Sequence, residues 1–106
     1  MAKYLVIGTY TPDGAAGLLK EGGTGRVAAA RQAVESVGGT LESLHWGFGK
    51  DDFFAMVDMP SHAAATAASL KISASGTSHV RTIPLMTAED LDAAAKLSPS
   101  FRPPGA

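Results

Sequence analysis

The sequence predicts an α+β fold, on three observations. Runs of β-branched and aromatic residues alternate with alanine-rich runs in the order β-α-β-β-α-β-α. Glycine and proline clusters fall between those runs and punctuate them. Two of the strand-like runs, Tyr4-Leu5-Val6-Ile7 and Phe53-Phe54-Ala55-Met56-Val57, are apolar at both parities. The first two observations point to a ferredoxin-like βαββαβ arrangement with a C-terminal helix, an antiparallel sheet carrying two helices on one face. The third concerns assembly, because a sheet with one wet face alternates apolar and polar residues.

The elements follow in order. Tyr4 to Tyr10 is too short and too β-branched for a helix and reads as the first strand. Thr11-Pro12-Asp13 starts a helix with a capping hydroxyl, a proline at the first helical position and an acid facing the positive end of the dipole. Gly22, Gly23 and Gly25 each cost about 1 kcal/mol in a helix interior, so a break is expected there, with Thr24 capping the resumption. Val27, Ala30, Val34 and Val37 then form an apolar stripe that Gly38-Gly39 ends.

Thr40 to Phe48 reads as the second strand, with Leu44, Trp46 and Phe48 on one face and Leu41, Ser43 and His45 on the other. Gly47, Gly49 and Lys50-Asp51-Asp52 supply a turn into the third strand, Phe53 to Asp58. An alanine-rich helix runs from His62 to about Ser73 and stops at Gly76. His79 to Leu85 is the fourth strand, and Pro84 places it at an edge or a bulge. Thr87-Ala88-Glu89-Asp90 opens a last helix carrying Leu91, Ala94, Ala95 and Leu97. Residues 1–98 are expected to form one domain and 99–106, rich in proline, a flexible tail.

Two helices cover only one face of the sheet. A second apolar face left in water would exceed the patch a monomer normally shows. The expectation is therefore a homodimer packed sheet to sheet, a dimeric α+β barrel.

Composition narrows the function classes. A net charge of −1 offers no basic surface for nucleic acid or for an anionic membrane. The absence of cysteine excludes disulfides, thiol catalysis and thiolate metal sites. No apolar stretch approaches the ~18–20 residues that span a bilayer, and Met1-Ala2-Lys3 runs straight into a strand with no leader-like segment. A soluble, cytoplasmic protein with no membrane or nucleic-acid partner is expected.

These residues resemble the GYD-domain family, small proteins of the dimeric α+β barrel type. The match rests on Tyr4-Leu5-Val6-Ile7 with Tyr10-Thr11 and Gly14, on Arg26 before the alanine-rich helix, and on Gly38-Gly39. Gly49 with Asp52 and the late Val80-Arg81-Thr82 complete it, so that it covers about residues 3 to 86. Where the family's naming motif carries a tyrosine before its aspartate, this chain has Asp51 before Asp52. No role of that tyrosine hydroxyl carries over. The resemblance implies the fold and no agreed activity; wider relatives include cofactor-independent oxygenases, isomerases, haem enzymes and effector-binding domains.

Several residues are candidates for chemistry, each with a structural alternative. His45, on a strand face with Ser43, suits a general base or ligand contact, and equally a histidine bonded inside a core or interface. His79 and Arg81 share a face of the fourth strand; Arg81 suits a carboxylate clamp or an ion pair with Asp58 or Glu42. Trp46 with Phe48, and Phe53 with Tyr4, suit walls for a flat apolar ligand, or simply core and interface. Arg26, following three glycines, suits an anion held with backbone N–H groups. Asp51-Asp52 reads as turn chemistry rather than a carboxylate pair. Histidines 45, 62 and 79 show no paired metal-ligand spacing. No protein metal site and no cofactor are expected, with haem through His45 or His79 the one route left open.

Three functions compete. The first is a dimeric barrel binding a small, mainly apolar molecule in a pocket closed by the helices and lined by His45, Trp46 and Arg81, with turnover as a cofactor-independent enzyme left open. The second is a non-catalytic dimerising or sensing module with no ligand in the barrel. The third, RNA binding, shares the βαββαβ order, but its aromatic strand motif falls here at an acidic turn and no basic surface accompanies it.

Overall fold

The first strand, β1 (Ala2–Tyr10), lies inside the sheet, as its apolar residues at both parities require. The structure is a computed structural model and describes residues 1–47 and 49–106. Helix α1 (Pro12–Glu35), strands β2 (Thr40–Trp46) and β3 (Phe53–Met59), helix α2 (His62–Ala74), strand β4 (Ser78–Pro84) and helix α3 (Ala88–Ala95) follow. The strands form one antiparallel sheet in the order β2-β3-β1-β4, the α+β, ferredoxin-like arrangement the sequence predicts, with β4 at an edge.

Local chemistry sets the boundaries. Thr11 caps α1, its hydroxyl accepting from the Gly14 amide at 3.2 Å. Ser61 caps α2 in the same way through Ala64. Thr87 and Asp90 close a reciprocal capping box on α3. The expected break in α1 is milder than three glycines suggest. Only Gly22 leaves helical geometry, at φ 80° and ψ 165°, so two helical segments join across a kink. Gly39 is needed where α1 turns into β2, since a Cβ there would sit 2.6 Å from the Asp58 carbonyl oxygen and the Met59 sulfur.

The core lies between the sheet and the two long helices, built on Tyr4, Val34, Leu41, Val57 and Met59 with Ala55 and Ala65. One expectation fails here. Leu41 does not share a face with Ser43 and His45, because the β2–β3 register slips between Leu41 and Ser43. This bulge brings Leu41 onto the helix-facing side with Leu44 and Trp46. Phe48, expected to continue that face, lies outside the described residues. Leu97 falls beyond the end of α3, whose cap is Lys96. Among the described residues, no helix is long and apolar enough to cross a membrane.

Candidate functional site

The helix faces turned to the sheet are poor in bulk, and that creates the main cavity. Ala30 on α1, and Ala65 with Ala68 on α2, stand where larger side chains would fill a core. These short side chains leave a cleft of about 1000 Å³ between the helices and the strands. Its floor is the helix-facing side of the sheet, including Val6, Leu44, Ala55 and Thr82. The lining is mainly apolar, as small-molecule sites usually are.

An aromatic cluster stands at one end of this cleft. The Phe53 ring lies over Gly8, so close that a Cβ at Gly8 would fall 1.9 Å from a ring carbon. Tyr10 leans against Phe53 with ring centroids 5.1 Å apart and planes tilted by 42°. The Trp46 indole donates to the Tyr10 hydroxyl at 3.0 Å across the sheet. The Trp46 ring also approaches α1 just past its kink, 3.8 Å from where a Cβ on Gly23 would be.

Charge enters at the same kink. Arg26 lines the cleft and pairs with Glu21 at 3.5 Å, bridging the two helical segments that Gly22 separates. Both side chains are about a third exposed, so water screens the pair and leaves Arg26 available to another anion. Two hydroxyl pairs also border the cleft, Ser69 with Thr82 at 2.6 Å and Ser75 with Thr77 at 2.7 Å.

Tyr4 sits elsewhere. It is buried in the core, and its hydroxyl is hydrogen-bonded to His62 Nδ1 at 2.5 Å, the rings meeting edge to face. The pair belongs to a smaller cleft between α2 and β4, of about 400 Å³. Tyr4 is therefore not the aromatic neighbour of Phe53; Tyr10 is.

The other candidates lie across the sheet. His45 is opposite Phe54, Arg81 is opposite Ile7 and His79 is opposite Thr9, all at the parity turned away from the helices. The expected single pocket of His45, Trp46 and Arg81 therefore does not form, because the sheet separates the first and last from the second. Arg81 pairs with Asp51 at 3.6 Å rather than with Asp58 or Glu42. The adjacent Asp52 does the work of a turn: its carboxylate accepts from the Tyr10 amide at 2.8 Å and its own amide donates to the Gly8 carbonyl at 2.8 Å.

The same outer face carries Leu5, Ile7, Phe54, Met56 and Ile83 at its centre, covered by no helix. At the far end Lys3 reaches both carboxylate oxygens of Glu42 at 2.7 Å. The Lys3 bond holds the Glu42 carboxyl below its ordinary range. Hydrogen bonding to Glu42, helped by partial desolvation, pushes the neighbouring Asp58 carboxyl up. The Glu42 bond likewise raises Lys3.

Sequence reasoning passed over His62 and Tyr10 as site residues. The signal for Tyr10 was its strand parity, which it shares with Tyr4 and Val6. The signal for the cleft was the run of alanine and glycine on both helices. Among the described residues, no group of three histidines or acids is placed to hold a metal ion.

Comparison with known proteins adds one match. The family model described as the GYD domain matches residues 4–95. No curated protein matches the chain.

Proposed function

We propose, for a chain that belongs to the GYD domain family, that it binds one small, mainly apolar molecule in the cleft between sheet and helices and works as a homodimer. The carrying observation is the cleft itself: about 1000 Å³, with alanines of both helices among its walls. A molecule with a flat apolar body fits against Tyr10 and Phe53, with Arg26 as its polar anchor. The hydrogen bonds between side chains at this cleft join hydroxyl to hydroxyl and indole to phenol. Binding of a small apolar molecule is the reading that the cleft supports, with turnover left open. The dimer reading rests on the uncovered apolar face of the sheet, which self-association would bury. A cysteine-free chain suits the reducing cytosol, where we place it.

Native mass spectrometry of freshly purified protein, followed by titration with anilinonaphthalene sulfonate, tests this reading. The expected result is a reproducible extra mass lost on denaturation, and saturable binding of one dye per chain with quenching of the single tryptophan, Trp46. Absence of both an extra mass and dye binding would refute the ligand reading and leave the dimerising module.

A further inference from the structure

The aromatic end of the cleft has hydrogen-bond donors to spare. Tyr10 is half-buried and lines the cleft. Its hydroxyl oxygen accepts from the Trp46 indole at 3.0 Å, and among the described residues its own hydrogen meets no acceptor. A phenol that already accepts a hydrogen bond is polarised into a better donor. That O–H stands beside the Phe53 ring, against which Tyr10 leans.

Arg26 brings a second set of donors to the same end, and Trp46 links the two. Its indole nitrogen bonds to Tyr10, and the far edge of its ring lies 3.8 Å from where a Cβ on Gly23 would be. Gly23 and Arg26 are three residues apart on one helical segment and share a face. Helical side chains lean toward the N-terminus, which carries the guanidinium back toward Gly23 and the kink, where it meets Glu21. That contact of 3.5 Å is longer than a charge-assisted hydrogen bond of about 2.7–2.9 Å. The planar N–H fork of Arg26 is therefore open to a planar acceptor.

Charge selects among acceptors. Lys20, Arg26 and Lys71 line the cleft with Asp13 and Glu21, three cations to two acids. A ligand with one negative charge makes the lining neutral as a whole, whereas a cationic ligand adds to the excess. A carboxylate is planar, and its two oxygens can take the O–H of Tyr10 and the N–H groups of Arg26 together. The pair it must open, Arg26 with Glu21, is one that water already screens.

We propose, resting on the ligand reading above, that the molecule held in the cleft is a flat apolar carboxylic acid. Its carboxylate sits between the Tyr10 hydroxyl and the Arg26 guanidinium, and its apolar body lies against Phe53. Glu21 is the internal stand-in for that carboxylate: it holds Arg26 in the free protein and gives it up when the acid binds.

Isothermal titration calorimetry of the refolded full chain at neutral pH, with 2-naphthoate, 2-naphthamide and anilinonaphthalene sulfonate, tests this assignment. The naphthoate should bind at least about 10-fold more tightly than the amide, as hydrogen bonds to a charged group are the stronger ones. This comparison is made on the parent chain and needs no variant to fold. Tyr10→Phe and Arg26→Gln should each remove most of the preference and leave the affinity for the amide unchanged. Glu21→Gln should tighten naphthoate binding by removing the competing acid. An amide that binds as tightly as the naphthoate, or a preference that survives both Tyr10→Phe and Arg26→Gln, overturns the carboxylate while the ligand site stands. Dye binding without naphthoate binding does the same. Naphthoate that binds Glu21→Gln no more tightly than the parent overturns the exchange with Glu21. A chain that binds none of the three probes overturns the ligand reading itself, and the carboxylate with it.

Discussion

Replacing Ala30 by leucine asks the structure its most direct question. Ala30 is half-buried on α1 and lines the cleft. Leucine adds three carbons at little cost in helix propensity. In a close-packed core, such an addition forces off-rotamer side chains and costs about 1–3 kcal/mol. Ala30 touches the core on one side and lines a cleft of about 1000 Å³ on the other, into which the added carbons can extend. The added carbons then gain roughly 0.8 kcal/mol each when removed from water, about 2.4 kcal/mol in all. Rotamer ordering takes back about 0.5–1 kcal/mol. A net stabilisation of about 1.5–2 kcal/mol remains, so packed core and open cleft differ in sign.

The assay is thermal unfolding of protein refolded from denaturant, so that no bound molecule contributes. For a domain of this size 1 kcal/mol moves the midpoint by about 4–8 °C, giving a rise of roughly 6–15 °C. The same sample should bind anilinonaphthalene sulfonate more weakly, because the new side chain takes up the space. A midpoint that falls would refute the cleft as open volume. A midpoint that rises with unchanged dye binding would refute the cleft as the binding site.

Three further outcomes follow from particular contacts. Gly14→Ala would place a Cβ 1.9 Å from the Thr77 carbonyl oxygen, a backbone atom that cannot swing away, so urea unfolding should show a loss of about 3 kcal/mol. Stability within 1 kcal/mol of the parent would show that α1 can lift off the α2–β4 loop. Tyr4→Phe removes the hydroxyl bonded to His62, and because His62 is exposed and water can replace it, the loss should be near 1 kcal/mol. A carboxyl NMR titration should place Glu42 below 4.5 and Asp58 above 3.8. Glu42 then contributes stability present above 4.5 and lost as the pH falls through its lowered folded value. The raised Asp58 acts in the opposite sense, since its neutral form is favoured in the fold and that stability is lost as the pH rises through its folded value. Glu42→Gln should let Asp58 fall back toward 3.8; an unmoved Asp58 would show that the two carboxyls do not share a hydrogen bond.

What could be read in the sequence follows the range of the interaction. Thr11-Pro12-Asp13 and the Thr87–Asp90 box announce helix starts because a cap involves residues three apart. The apolar runs of β1 and β3 announce interior strands for the same local reason. The facing of Leu41 was not legible, because a bulge is a property of two strands in register and Leu41 follows its partner Val57. One slipped residue reverses every inference about which side chains meet, and so His45 and Trp46 parted correctly while Leu41 did not. Arg81 found Asp51 rather than Asp58 because pairing across β4, β1 and the β2–β3 turn depends on where that turn folds. The Trp46–Tyr10 bond spans 36 residues and two strand pairings, and nothing local signals it.

The alanine and glycine of α1 and α2 set a balance that joins the site to the assembly. Seven hydrophobic residues are buried among those described, a small core for a domain near the lower end of independent stability. Each alanine that keeps the cleft open forgoes packing a leucine would supply. In the proposed function, a bound molecule and a second copy would each offset that deficit. A ligand at 100 times its dissociation constant adds about 2.7 kcal/mol by mass action. Burial of Leu5, Ile7, Phe54 and Met56 against a second copy would add to it from the other side of the same sheet. Since Ile7 lies between Phe54 and Arg81 on one face while Val6 beside it floors the cleft on the other, the two contributions would act through one strand. Occupancy of the cleft should therefore tighten the dimer, and dilution to monomer should weaken ligand binding by the same factor.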